Sequence, residues 1–153
     1  MKNAYGFTLM EVLIVMIIAS VLGIASVAGW QGWQQRQRLN DAARQIQLFL
    51  LRQRSEANWL NESRLLWAKK GDKWCLGSGK PLADCSGKSS RWVNAAWQGI
   101  TLLSLTDDVG FYGRRNVAKP GRVVIAGAAG ERHIIISSRG RVRVCQPEGE
   151  GCP

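Results

Sequence analysis

The chain has 153 residues and a formal net charge of +10, with 21 Lys and Arg against 11 Asp and Glu. That length has room for one modest domain and a membrane segment. Its four cysteines, Cys75, Cys85, Cys145 and Cys152, form no CxxC pair, and His133 is the single histidine, so a Cys/His metal cage is not expected and no cofactor is called for.

Phe7 to Gly29 is a run of 23 residues with one charge, Glu11, and only Thr8, Ser20 and Ser26 as polar company. As a helix it would be roughly 35 Å long, enough to cross a bilayer. Trp30 and Trp33 follow where an interfacial aromatic belt would sit. The run is too long for a secretory signal core, and no small-x-small cleavage site stands out. Glu11 is the anomaly. A carboxylate at the centre of a spanning helix costs on the order of 2.5–3.5 kcal/mol, and less near an end, so it requires a partner. The flanking charges do not strongly favour a periplasmic C-terminus: Lys2 and the amino terminus lie on one side, Arg36, Arg38 and Arg44 on the other.

Helical periodicity continues past Trp33. Leu39, Ala42, Ala43, Ile46, Phe49 and Leu50 recur at three- and four-residue steps, and no proline occurs before Pro81. One helix from about Phe7 to Ala57 is expected, roughly 75 Å long. Gly29 and Gly32 are its weak points, at about 1 kcal/mol each relative to alanine.

After Asn58 the pattern changes to short strands. Leu65 to Ala68 and Lys73 to Leu76 flank Gly71-Asp72 as a hairpin; Gly77 to Ser90 reads as loop. Arg91 to Val93, Ile100 to Leu105 and Val109 to Tyr112 are further strands, with a turn at Asp107-Asp108. Arg122 to Ala126, Glu131 to Ser138 and Arg141 to Cys145, separated by glycine-bearing turns, read as a three-strand meander. The close spacing of Cys75 to Cys85 and of Cys145 to Cys152 favours two local disulfides, although three pairings exist, and disulfides would place this part in an oxidising compartment, the periplasm.

From Gly110 to Cys145 there are eight basic residues (Arg114, Arg115, Lys119, Arg122, Arg132, Arg139, Arg141, Arg143) against one acid, Glu131. The excess suits an anionic partner: nucleic acid, acidic lipid headgroups or an acidic neighbouring subunit; a merely solvated basic face is the plainer reading. No catalytic set stands out. His133 lies in an apolar strand and is expected to be structural, and Asn61-Glu62-Ser63 matches a glycosylation sequon only weakly.

The hexapeptide Gly6-Phe7-Thr8-Leu9-Met10-Glu11 resembles the prepilin peptidase site of type IV pilins and type II secretion pseudopilins. The resemblance implies a leader at 1–6 containing Lys2, cleavage between Gly6 and Phe7, N-methylation of Phe7, and pairing of Glu11 with the N-terminal amine of a neighbouring subunit. That pairing would neutralise Glu11 inside a helical bundle rather than leave it in lipid. The rest of the chain is similar to minor pilins and pseudopilins typified by FimT and GspH, nearest to the prepilin peptidase-dependent protein A group. Gly29-Trp30, Trp33-Gln34-Gln35, Asn58-Trp59, Trp74-Cys75-Leu76, Phe111-Tyr112-Gly113 and the tail from Ser138 to Cys152 carry that likeness.

The family implies an α+β, type IV pilin-like fold: a long N-terminal helix, its first half transmembrane, packed on a small antiparallel β-sheet domain. The expected organisation is a leader at 1–6, a transmembrane helix at 7–29, the periplasmic half of the helix at 30–58 and a β-rich domain at 59–153. It implies a non-enzymatic subunit of the bacterial inner membrane, single-pass with a periplasmic C-terminal domain, later part of an extracellular or periplasmic filament. Its partners would be prepilin peptidase and other minor and major pilins or pseudopilins, and its role the priming of filament assembly at the tip. Gly140-Arg141-Val142-Arg143 also resembles the Gly-Arg-x-Arg motif of FimT-like pilins that bind DNA during uptake. Two same-face arginines about 7 Å apart suit successive phosphates. Arg139, Arg114 and Arg115 are candidate extensions, and binding would be non-specific and salt-dependent.

Overall fold

The computed structural model describes residues 6–114, 117–149 and 151–152. Lys2 and Arg115, both named above, lie outside the described residues. The chain divides into two compact units, Met1–Gln34 and Gln35–Pro153.

Helix α1 spans Leu9–Leu60 and runs through Gly29 and Gly32 without interruption. It starts at a cap. Thr8 Oγ1 accepts the Glu11 amide at 3.3 Å, and the Thr8 carbonyl accepts the amides of Glu11 and Val12. Thr8 and Glu11 thus stand at the N-cap and third positions, the spacing of a capping box. The helix ends where Asn61 takes φ 53° and the Glu62 amide reaches back to the Ala57 carbonyl at 3.2 Å, a left-handed stop that satisfies carbonyls of the last turn.

Within the first unit, α1 is long and apolar enough to cross a membrane, and the side chains of its apolar window are not buried. Trp30 and Trp33 stack with ring centroids 5.1 Å apart.

In the second unit, the expected apolar stripe is the buried one. Leu39, Ala42, Ala43, Ile46, Phe49 and Leu50 are all buried, and the stripe continues through Gln53 to Ala57. Gln53 is polar but fully satisfied: its amide donates to the Ser90 carbonyl at 3.0 Å and its oxygen accepts from the Ser78 hydroxyl.

The strands are β1 (Arg64–Lys69), β2 (Cys75–Ser78), β3 (Trp92–Asn94), β4 (Thr101–Leu105), β5 (Gly110–Phe111), β6 (Ala118–Lys119), β7 (Gly121–Gly127), β8 (Gly130–Ile136) and β9 (Val142–Cys145). They form two antiparallel sheets, ordered β3-β2-β1-β5-β6 and β4-β7-β8-β9. The meander β7-β8-β9 is present as expected, with β4 added at its edge. The expected antiparallel β domain is built as two sheets, linked by the bridge between Gly71 and Leu102. One expectation changes. The stretch read as loop from Gly77 begins two residues later, because Gly77 and Ser78 pair with Trp67 and Leu66.

The inner faces supply Leu66, Leu76, Phe111, Val123, Ile125, Ile134 and Ile136 to the core shared with α1. Trp74 is buried with them and donates its indole N–H to the Ile100 carbonyl at 2.9 Å. The cysteines pair locally, Cys75 with Cys85 and Cys145 with Cys152, resolving the three pairings left open by the sequence. In a domain of this size such staples restrict the unfolded chain and add to a limited core.

Candidate functional site

At the head of α1, Gly6 has nothing among the described residues within 4 Å of where a Cβ would stand, and Phe7 is 81% exposed. A protease and a methyl-transferring enzyme both need such access. Glu11 is exposed, with no ion-pair partner among the described residues. Thr8 is a residue the sequence reading passed over. Its cap gives Glu11 a local reason to stand at the third helical position, where the helix dipole favours an acid. The signal was legible as Thr-x-x-Glu, but the cost of burying the carboxylate drew attention instead.

The second candidate is the basic surface at β9. Gly140 takes φ 73° in the turn between β8 and β9, held by Gly140 N–H to Ser137 O at 2.8 Å and by Ser137 N–H to Arg141 O at 2.9 Å. A Cβ there would lie 3.2 Å from Arg54 Nε, so the glycine keeps the turn close against an arginine of α1. Arg139, Arg141 and Arg143 are exposed. Arg141 precedes β9 rather than lying in it; Val142 is buried, whereas Val144, facing the same way near the strand end, stays 36% exposed.

Register adds an arginine that the site reading had left out. Arg122 pairs with Ile135 and Ile135 with Arg143, so both arginines stand in one cross-strand row on the outer face. The Arg114 segment connects to this turn through Ala118 N–H to Ser138 O at 2.9 Å, but Arg114 itself lines a different hollow, with Asn61, Ser63 and Tyr112.

His133 is not part of the basic row. It stands next to it, opposite Cys145, with Nδ1 3.7 Å from Cys152 Sγ and Nε2 3.4 Å from a Glu131 carboxylate oxygen. Arg132 points the other way. It is 8% exposed on the inner face of β8, where its Nε donates to Asn40 Oδ1 at 3.0 Å and its Nη1 to the Glu131 carbonyl at 2.8 Å. Burial lowers its pKa from the ordinary guanidinium value.

Residues 1–27 match the family described as the prokaryotic N-terminal methylation motif. No curated protein matches the sequence as a relative. Among solved structures the chain is similar to the type IV minor pilin FimU of Pseudomonas aeruginosa strain PAO1 in two crystal forms. In space group P21 the TM-score is 0.54 at 19% identity, over 74% of this chain and 92% of that one. In P65 the TM-score is 0.51, also at 19% identity, over 70% and 92%. A methylation motif thus leads into a long apolar helix, on an α+β fold like that of type IV pilins.

Proposed function

We propose that the chain is a minor pilin or pseudopilin, cleaved between Gly6 and Phe7 and N-methylated at Phe7 by prepilin peptidase. It is anchored by α1 in the bacterial inner membrane with its C-terminal domain in the periplasm, and it joins a filament tip to prime assembly of a type IV pilus or secretion pseudopilus. The observation that carries this reading is the methylation motif over residues 1–27 running directly into α1. The two disulfides support an oxidising location. On this reading the protein is a structural subunit that works through its contacts, with other pilins as partners, and not as an enzyme. Substituting Gly6 with valine in cells with prepilin peptidase should leave the leader attached, seen as a heavier precursor by intact mass. Normal trimming of that variant would overturn the cleavage assignment.

A second reading has its own observation, the row of Arg122 and Arg143 beside exposed Arg141 and Arg139. This face would contact DNA phosphates without reading bases. The double substitution Arg141→Ala, Arg143→Ala should weaken binding to unrelated duplexes and lower the salt slope by about 2 for two lost phosphate contacts. Equal affinity and slope in both proteins would leave the face to subunit docking.

A further inference from the structure

A cavity of about 620 Å³ opens in the second unit, lined by Arg36 of α1, Gly130, Glu131 and Arg132 at the start of β8, and Pro147 and Glu148 of the C-terminal loop. Arg132 occupies an inner-face position of β8, where Ile134 and Ile136 are core residues. Its described hydrogen bonds go to neutral acceptors, and no carboxylate lies within ion-pair distance among the described residues. A buried cation held only by neutral groups leaves its charge for an anion to meet. Arg36 adds a second guanidinium, exposed and without an ion pair among the described residues. The Cys145–Cys152 disulfide ties down the C-terminal loop, which adds Glu148 to the lining, exposed and likewise without an ion pair among the described residues. Glu131 places its carboxylate 3.4 Å from His133 Nε2, so among the described lining residues Glu148 is the acid left for a ligand.

Two guanidiniums and one carboxylate lining a single cavity match a ligand that carries both a phosphate and a hydrogen-bonding cation. Phosphoethanolamine has that pattern. A glycerol headgroup lacks the cation, and choline lacks the N–H donors that a carboxylate would accept. The source follows from position along α1. Arg36 comes three residues after Trp33, which the proposed anchoring puts at the interface, about 4.5 Å further along α1. That is within the headgroup layer, which adds roughly 5–7 Å to each side of the hydrocarbon core.

We propose that this cavity binds the phosphoethanolamine headgroup of a membrane lipid, with its phosphate on Arg36 and Arg132 and its ammonium on Glu148. The proposal rests on the membrane anchoring in the reading above.

The test uses the full chain in detergent, titrated separately with phosphatidylethanolamine, phosphatidylglycerol and phosphatidylcholine, with bound lipid read by native mass spectrometry. The wild-type chain should retain phosphatidylethanolamine preferentially. Arg36→Gln should weaken that retention roughly tenfold, as expected for one charge-assisted contact. Glu148→Gln should make phosphatidylethanolamine and phosphatidylglycerol equal. Both variants lie on the surface; Arg132 is left intact because its loss endangers folding. Equal retention of all three lipids by the wild type, or no change in Arg36→Gln, would overturn the proposal. Binding of soluble glycerophosphoethanolamine without any lipid preference would overturn the lipid as the source. Leader cleavage and membrane fractionation of the same variants keep the two readings apart. Uncleaved or uninserted protein counts against the pilin assignment, whereas cleaved, inserted protein without headgroup preference counts against the cavity alone.

Discussion

Replacing Gly113 with alanine is expected to lower the thermal midpoint of the folded domain by roughly 10 °C or more, and Gly110→Ala by a similar amount. Both glycines bring one segment against backbone. A Cβ at Gly113 would stand 2.3 Å from the Asn61 carbonyl carbon and 2.6 Å from the Glu62 nitrogen. At Gly110 it would stand 2.4 Å from the Arg64 oxygen and 2.7 Å from Leu65 Cα. The obstacle at both sites is main chain, so no rotamer change relieves it. That main chain is also pinned, by the stop of α1 on one side and by the pairing of Gly110 with Leu65 on the other. The only relief is to part β5 from β1 or to unseat the end of the helix. Overpacking in well-packed sites costs about 1–3 kcal/mol and sometimes more, and the upper end applies where backbone must move. Gly149→Ala is the control: its nearest neighbour would be the Gln146 oxygen at 3.4 Å, an ordinary contact, and the change should stay within about 0.5 kcal/mol. Near-UV circular dichroism melts of the full chain in detergent compare the three. Indistinguishable melts would sink the close-approach argument.

The sequence displays parts of this fold unevenly, for physical reasons. The buried stripe of α1 was readable because six apolar residues at helical spacing can lie on only one face. Gln53 interrupts the pattern, and its burial depends on Ser78 and Ser90, far along the chain, which no local pattern reveals. The strands of the meander were readable from their turns. The split into two sheets was not, because it depends on which strand edges pair, and β6, with two residues, leaves no periodicity to read. Arg132 was counted with the exposed basic residues for a related reason. The run Ile134-Ile135-Ile136 is apolar on both faces, so it does not show which face Arg132 takes. Register settles it, and the same register places Arg122 beside Arg143. The basic surface and the cavity are therefore distinct consequences of one strand phase, with Arg143 outward and Arg132 inward.

Glu11 now has two explanations that a single alanine substitution does not separate. On the assembly reading, its charge pairs with the N-terminal amine of a neighbouring subunit inside the filament. On the local reading, it completes a cap begun by Thr8, whose hydroxyl accepts the Glu11 amide at 3.3 Å. Glutamine distinguishes them, because Glu and Gln both serve at the third position of a capping box while only Glu carries charge. Glu11→Gln should therefore insert in the membrane and lose its leader normally, yet enter filaments at about one tenth of the wild-type level or less. That magnitude is conservative, since leaving one member of a desolvated ion pair unpartnered costs roughly 3–5 kcal/mol. Thr8→Ala should do the reverse, weakening the helix start by about 1 kcal/mol while largely sparing incorporation. Quantitative immunoblots of sheared filaments against membrane fractions read both. If glutamine supports full incorporation, the carboxylate acts through the cap and the intersubunit pair is withdrawn. If glutamine fails where Thr8→Ala succeeds, the negative charge itself is what the neighbouring subunit requires.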